Sequence, residues 1–470
     1  MSLSLLTDLY QLTMAYGYWR NGMHKHQSVF HWFYRKNPFN NPYVIACGLA
    51  EVVDYLQKFS FNAEELAYLS SLTGNNGQPL FDEGFIQYLS TLRFTGSIHA
   101  VEEGTLVFPH EPLLRVEADL IQAQIIETAL LNILNFSSLI ATKSARVCKA
   151  AAGDKVLEFG LRRAQGVNGA LAASRAAYIG GAHATSNVLA GKLYDIPVKG
   201  THAHAWVMSF DTELAAFEAY AEAMPNNCTF LVDTYDTIEG VKNAVKVATD
   251  LRAKGYEMQG IRLDSGDLVA LSKAARKILD ESGFHNADIV ASDDLNEDKI
   301  AQLKSDGAAI SVWGVGTQLV TAYNQPALGG VYKLAAIRPD ESSEWAYKIK
   351  LSENPIKVST QGILQVRRFF MTNEAPFADM IFSETIPEVS NEIASFDGRQ
   401  VVAATREYED LLKPIFVKGE LVYKLPATSA IREKTLAQIN LFAATDFSLY
   451  PVGLEKQTNA QKLALIQKYR

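Results

Sequence analysis

The stretch from residue 229 to residue 313 decides the fold. It reads TFLVD (229–233), a helical segment from Thr237 to Lys254, GIRLD (260–264), and a second helical segment from Asp267 to Glu281. DIVAS (288–292), a third helical segment from Asn296 to Ser305, and AISVW (309–313) complete it. Short apolar runs alternating with helices predict a parallel sheet, either open or closed into a barrel.

Working outward, the same rhythm takes in VLEFG (156–160) and IPVKG (196–200) upstream and GVYKL (330–334) downstream, making seven runs. After nearly every run comes a charged or glycine-containing cluster: LRRAQG, THAHAW, TYDT, SGD, DDLNED, GVGT. Polar residues spread over six strand ends fit the mouth of a βα barrel better than the single crevice of an open sheet. The expected architecture is an irregular α/β barrel over residues 136–335. An α/β domain, residues 1–135, precedes it, with an opening helix and strand-like segments at 28–34 and 97–101. A buried helix from Ile121 to Val147 leads into the barrel. Residues 336–470 read as mixed polar strands and loops with a final helix from Gln457 to Arg470, and they carry no legible motif.

A chain of 470 residues exceeds the roughly 250–300 at which one hydrophobic core stops growing, which agrees with several domains. With 48% hydrophobic and 20% charged residues it has the composition of a soluble globular protein. A net charge of −8 argues against a nucleic-acid surface, which needs a basic face. Cys47, Cys148 and Cys228 show no CxxC spacing and read as buried, reduced thiols. The opening MSLSLLTDLYQLTM lacks a basic start, Asp8 interrupts its apolar residues, and no run approaches the ~20 apolar residues of a membrane span. The expected compartment is the cytoplasm.

Gly200-Thr201-His202-Ala203-His204-Ala205-Trp206 places two histidines at a strand tip. In an extended strand His202 and His204 share a face, so both are expected to point into the barrel mouth. Histidine can attack, exchange a proton or ligate a metal. A metal pair needs further ligands, and His285 is the only histidine downstream. That leaves one nucleophilic or acid–base histidine, or two structural ones. In GIRLD, Arg262 and Asp264 share a face with opposite charge, and such groups persist only when paired or used. An arginine fork grips a planar carboxylate or phosphate, whereas Asp264 suits ribose hydroxyls or a metal-bound phosphate. The plain alternative is an internal ion pair, with Asp267 as N-cap of the next helix. Gly314 and Gly316 in WGVGT let backbone N–H groups approach an anion ahead of a short helix, although any tight βα turn uses glycine as well. Phe159, Arg162 and Arg163 add an aromatic ring and two cations after the first run. Together these groups suit a phosphorylated sugar and a flat acidic partner.

With TDLYQLTMAYGYW, EFGLRRAQG, TSNVLAG, GTHAHAW, GIRLDSGDL, VWGVGT and GGVYKL in order from residue 6 to about 335, the chain resembles the nicotinate phosphoribosyltransferase family. The resemblance implies a type II phosphoribosyltransferase fold: an N-terminal α/β domain, an irregular α/β barrel, and a C-terminal region packing back on the first domain. It also implies transfer of phosphoribose from phosphoribosyl pyrophosphate to nicotinate, coupled to hydrolysis of ATP, with Mg²⁺ on the pyrophosphate, in a homodimer whose active sites are shared. Carried over residue by residue, the phosphorylated histidine falls on His204. Thr201 matches a substrate contact, Arg262 the arginine at the nicotinate carboxylate, and Gly314, Gly316 and Thr317 the ribose 5-phosphate loop. Phe159 and Arg162 match groups at the ring and phosphates, and Asp264 is the expected Mg²⁺ contact. Periodicity alone puts Tyr10 in the core of an amphipathic helix; the resemblance instead makes it the ring that stacks on the pyridine from the neighbouring chain. Ser186 stands where the nicotinamide-using sister family has an aspartate, and a hydroxyl suits a carboxylate substrate where a second carboxylate repels it. The rival readings are nicotinamide phosphoribosyltransferase, a non-catalytic nucleotide-binding barrel, and a metal amidohydrolase, the last short of ligands.

Overall fold

A computed structural model describes residues 3–371, 374–403 and 407–470. The chain forms two compact units. One comprises Met1–Leu139, Ala327–Pro426 and Lys434–Arg470; the other comprises Ile140–Pro326 and Ala427–Glu433.

In the second unit six strands lie side by side in the order Ala184–Thr185, Lys155–Glu158, Val312–Val315, Asp288–Ala291, Gly260–Leu263, Thr229–Leu231. All five pairings are parallel. The strands are short and almost wholly buried, as expected where helices cover a parallel sheet. Helices Thr237–Ala253, Leu268–Glu281 and Glu297–Ser305 follow three of them. Each starts where a side chain accepts from the first-turn backbone: Asp236 from Glu239 N, Asp267 from Val269 and Ala270 N, Asn296 from Lys299 N. Such caps contribute about 1 kcal/mol each. Leu268, Ser272, Ala275 and Leu279 are buried at helical spacing, which turns that face of their helix inward.

The run IPVKG does not become a strand. Pro197 has no N–H to give a ladder, and only an isolated bridge forms, between Thr185 and Val198. Instead, residues 197–202 span the gap between the two edge strands. Thr185 N donates to Pro197 O at 3.0 Å and Lys199 N to Thr185 O at 3.0 Å. At the other end Leu231 N donates to His202 Nε2 at 3.3 Å. This substitute for a strand is what makes the barrel irregular.

A second correction concerns GVYKL. It lies in the first unit, where Gly330–Arg338 pairs antiparallel with Gln27–Tyr34. That sheet runs Ala346–Tyr347, Gly330–Arg338, Gln27–Tyr34, Leu114–Asp119, Ser97–Val101, Leu412–Val417, Glu420–Leu421. Segments from both ends of the sequence build it, so the C-terminal region does pack back on the N-terminal domain. A further six-stranded sheet between residues 364 and 455, with Lys456–Tyr469 as final helix, occupies the region that lacked motifs. The helix expected over 121–147 is two, Leu120–Ile125 and Glu127–Ala151, with the break at Ile126. Among the described residues no helix is long and apolar enough to cross a membrane.

Candidate active site

The C-terminal ends of the parallel strands open into a cavity of about 380 Å³. Phe159, Arg162, Ser186, Thr201, His204, Arg262 and Asp264 all line it, together with His202 and Leu231. Arg262 and Leu231 lie in the last part of their strands, Phe159, Ser186 and Asp264 directly follow strands, and Thr201, His202 and His204 come from the segment that replaces a strand, so the sheet and its edge fix their convergence.

Arg262, the third residue of Gly260–Leu263, is the most constrained. Its Nε donates to Ser292 Oγ at 2.8 Å, Nη1 to Thr201 Oγ1 at 3.0 Å, and Nη2 to Asp264 Oδ1 at 2.7 Å. Three of the five guanidinium N–H groups are therefore engaged and two remain. The guanidinium carbon stands 5.7 Å from the centre of the Phe159 ring. The expected ion pair is present, but at the rim of a cavity, with side chains 14% and 31% exposed. Burial works to raise the Asp264 pKa, but the Ser292 hydroxyl and the Arg262 charge outweigh it and hold the carboxyl below its ordinary range. Asp264 N and Ser265 Oγ both donate to Asp233 Oδ2 at 2.8 Å, and Asp233 Oδ1 is buried with no partner among the described residues.

The two histidines do not share a strand face. The chain is extended at Ala203 and begins the helix His204–Met208 at the next residue, so the alternation fails there. His202 is buried, with ring centres of Tyr220 at 4.9 Å and Phe217 at 6.0 Å. Burial pushes its pKa down to about 4, with the charges of Arg262 and His204 acting the same way. Its Nε2 receives the edge-strand N–H of Leu231, a structural task. His204 is half-buried. Its Nδ1 lies 3.1 Å from Thr234 Oγ1, and Nε2 lies 3.8 Å from Asp264 Oδ2.

Gly314, Gly316 and Thr317 do not line the cavity. Gly314 lies beneath Phe159, where a Cβ would come within 2.7 Å of the ring, so it seats that ring against the strand. Gly316 precedes the four-residue helix Thr317–Val320, and Phe159 N donates to Val315 O at 2.8 Å. Tyr10 belongs to the first unit, on the helix Leu9–Arg20. It is 50% exposed, which corrects the reading of it as a core residue. Burial first, then the charges of Glu127 and Asp8, raise its pKa.

Glu158, Asp233, Thr234 and Ser292 were not singled out from the sequence. Thr234 opens the TYDT cluster, whereas Glu158, Asp233 and Ser292 are the polar residues at or near the ends of the runs VLEFG, TFLVD and DIVAS, where a polar group at a strand end was the one signal available.

The residue pattern has close counterparts. Residues 5–135 match the nicotinate phosphoribosyltransferase (NAPRTase) N-terminal domain, 155–368 the NAPRTase family proper, and 364–456 the NAPRTase C-terminal domain. A nicotinate phosphoribosyltransferase of Bacillus subtilis is 45% identical over 485 residues, covering 100% of this chain and 96% of that protein. One from Homo sapiens is 34% identical, covering 93% and 90%. The crystal structure of human nicotinic acid phosphoribosyltransferase superposes with a TM-score of 0.84 at 30% identity, over 98% of this chain and 99% of that one. The crystal structure of nicotinate-nucleotide pyrophosphorylase from Pyrococcus furiosus shares the fold, with a TM-score of 0.71 at 22% identity. On this evidence the chain belongs to the nicotinate phosphoribosyltransferase family.

Proposed function

We propose that this chain joins nicotinate to phosphoribosyl pyrophosphate in the cavity of its second unit, coupled to ATP hydrolysis. Nicotinate, phosphoribosyl pyrophosphate, ATP and water become nicotinate mononucleotide, pyrophosphate, ADP and phosphate. The observation that carries the reading is Arg262. It is a guanidinium fixed by three hydrogen bonds at the rim of a cavity, with two N–H groups to spare and an aromatic ring beside it. That arrangement is built for a carboxylate on a flat ring. Ser186 adds a hydroxyl to the lining where a carboxylate would repel the substrate, which favours nicotinate over nicotinamide.

Transfer requires the pyridine nitrogen to meet C1 of the ribose as pyrophosphate departs, through an oxocarbenium-like state. The protein's part is to align the two substrates and to compensate the leaving charge. Phe159 would cover one face of the ring, and Arg162 would meet phosphate or ring. Thr201 would touch the substrate, and the turn of Gly314, Gly316 and Thr317, outside the cavity lining and next to Phe159, would receive the ribose 5-phosphate where the sugar extends beyond the cavity. Asp264, beside the unpartnered oxygen of Asp233, gives the one or two carboxylates with which a protein shares Mg²⁺ with substrate phosphates, so these residues fit the ion. When bound, Mg²⁺ would neutralise pyrophosphate oxygens.

His204 is the phosphate acceptor in this reading. With Thr234 Oγ1 accepting from Nδ1–H, the Nε2 lone pair is left to attack the γ-phosphate of ATP. The protein is read as a cytoplasmic homodimer with shared sites, and the exposure of Tyr10 supports the dimer. Leu3, Leu6, Leu9 and Met14, close to it in sequence, are likewise 37–54% exposed, and large apolar side chains left in the open together are what an interface would cover. Intact-mass measurement after incubation with Mg-ATP tests the phosphate step. The wild type should gain one acid-labile phosphoryl group and His204→Ala none. A gain retained in the variant would reassign the acceptor.

A further inference from the structure

Two of the segments that line the cavity, those of Phe159 and Ser186, lead back to one buried side chain. Glu158 is the last residue of Lys155–Glu158 and is 1% exposed. Its Oε1 accepts from the Gly160 N–H, and Oε2 accepts from Ser174 Oγ at 2.8 Å and Thr185 Oγ1 at 2.6 Å. The first bond closes the turn directly after Phe159 and ahead of Leu161–Arg163, whose Arg162 lines the cavity. Gly160 itself tolerates no side chain, because Val320 occupies the place of a Cβ. The other bonds hold the end of the neighbouring strand, where Thr185 is paired with Glu158. Thr185 Oγ1 accepts from Asn187 N at 2.9 Å, and Asn187 Nδ2 donates to Ser174 Oγ at 3.1 Å. Asn187 in turn caps the helix Val188–Tyr194. Ser186 sits between these two anchored residues, and its own N–H donates to Glu158 O at 2.9 Å.

We propose that Glu158 is a positioning residue for the pyridine base, acting through Phe159 and Ser186. The chemistry explains the residue type. Three donors converge on one head group, and a carboxylate accepts on both oxygens, whereas an amide has one accepting oxygen and one donating nitrogen. A buried acceptor that loses a donor, or a donor left without an acceptor, costs far more than the bond contributes when made. The network therefore has one low-energy arrangement, and that arrangement sets the separation of the ring-covering wall from the hydroxyl wall. Glu158 does not line the cavity, so it acts on the base through Phe159 and Ser186 and leaves phosphorylation of His204 alone. This inference rests on the reading of the cavity as the nicotinate site.

The test compares Glu158→Gln, Thr185→Val and Arg262→Ala in steady-state kinetics of the full-length enzyme, with His204 phosphorylation by Mg-ATP as a second readout. Glu158→Gln should raise the nicotinate KM about tenfold, with kcat changed by less than about threefold. The KM for phosphoribosyl pyrophosphate should rise by clearly less than that for nicotinate, and the extent of phosphorylation should not move. Thr185→Val keeps the carboxylate and removes one of its donors together with the acceptor of Asn187 N; it should raise the nicotinate KM by about threefold and covers the case in which Glu158→Gln does not fold. If Arg262→Ala raises the nicotinate KM while both other variants leave it unchanged, the inference fails and the reading of the cavity stands. Equal rises in KM for both substrates would also overturn it, since they indicate general loosening. If Arg262→Ala itself leaves nicotinate KM unchanged, the reading of the cavity fails instead.

Discussion

Two arginine–aspartate pairs, one in each unit, make opposite use of the same chemistry. Arg368 and Asp379 in the first unit are 2% and 0% exposed. Arg368 Nε and Nη2 grip Asp379 at 2.9 and 2.6 Å, Nη2 also donates to Leu106 O at 2.8 Å, and Tyr450 Oη donates to Asp379 Oδ1 at 2.8 Å. The guanidinium lies 5.0 Å from the Phe442 ring centre, which closes one side. Arg262 and Asp264 in the second unit meet through one bond at the edge of a cavity, with donors to spare and a second carboxylate alongside. A sealed pair ties together segments distant in sequence and specifies one packing. An open pair holds a charge in place for something that arrives later. Function follows from the valences left over, rather than from the pair.

The largest effect separating the two should come from Arg368→Ala. It leaves Asp379 buried without its cation, a change that costs about 3–5 kcal/mol. Urea denaturation should show the loss, and nicotinate KM of the folded fraction should be unchanged. A variant as stable as the wild type would erase the contrast. Next comes Ser186→Asp, which puts a carboxylate into the cavity wall. Nicotinate KM should rise by about 10–30-fold through like-charge repulsion, with little change in stability. An unchanged KM would remove Ser186 from base selection.

The smallest effect concerns the two histidines. The pKa of His202 is about 4 when folded, against an ordinary value of 6.5. The unfolded chain therefore binds more protons between these values. The corresponding stability is present above pH 6.5, declines as pH falls toward 4, and amounts to roughly 1 kcal/mol between pH 7 and 5.5. His202→Phe should flatten that part of the pH profile of unfolding. A slope equal to that of the wild type would show that other groups carry it.

How much was legible in the sequence divides along the same line. In the second unit strand and polar loop are adjacent in the chain, so GIRLD, TFLVD and EFGLRR displayed their chemistry in place, and Asp267 was readable as a cap. Reading failed where pairing is distant. GVYKL looks like any apolar run, and only its antiparallel partner Gln27–Tyr34, some three hundred residues earlier, removes it from the barrel. The sheet between 364 and 455 is illegible for that reason, since Asp379–Ile381 pairs with Val452–Leu454 across more than seventy residues. The histidine pair failed for a local reason. Strand parity ends at Ala203, because a helix begins at His204. Glu158 escaped notice because a lone acid after an apolar run gives no hint of three donors converging on it.

If Arg262 holds the carboxylate of nicotinate, it must discriminate between the acid and its amide. The most direct measurement is the ratio of kcat/KM for nicotinate to that for nicotinamide, in the wild type and in Arg262→Ala. The wild type should strongly prefer nicotinate. The variant should lose about a hundredfold on nicotinate, corresponding to about 2.7 kcal/mol of a charge-assisted contact, and little on nicotinamide. A variant that loses equally on both bases would contradict the account, and would mean that Arg262 serves the phosphoribosyl substrate or the fold.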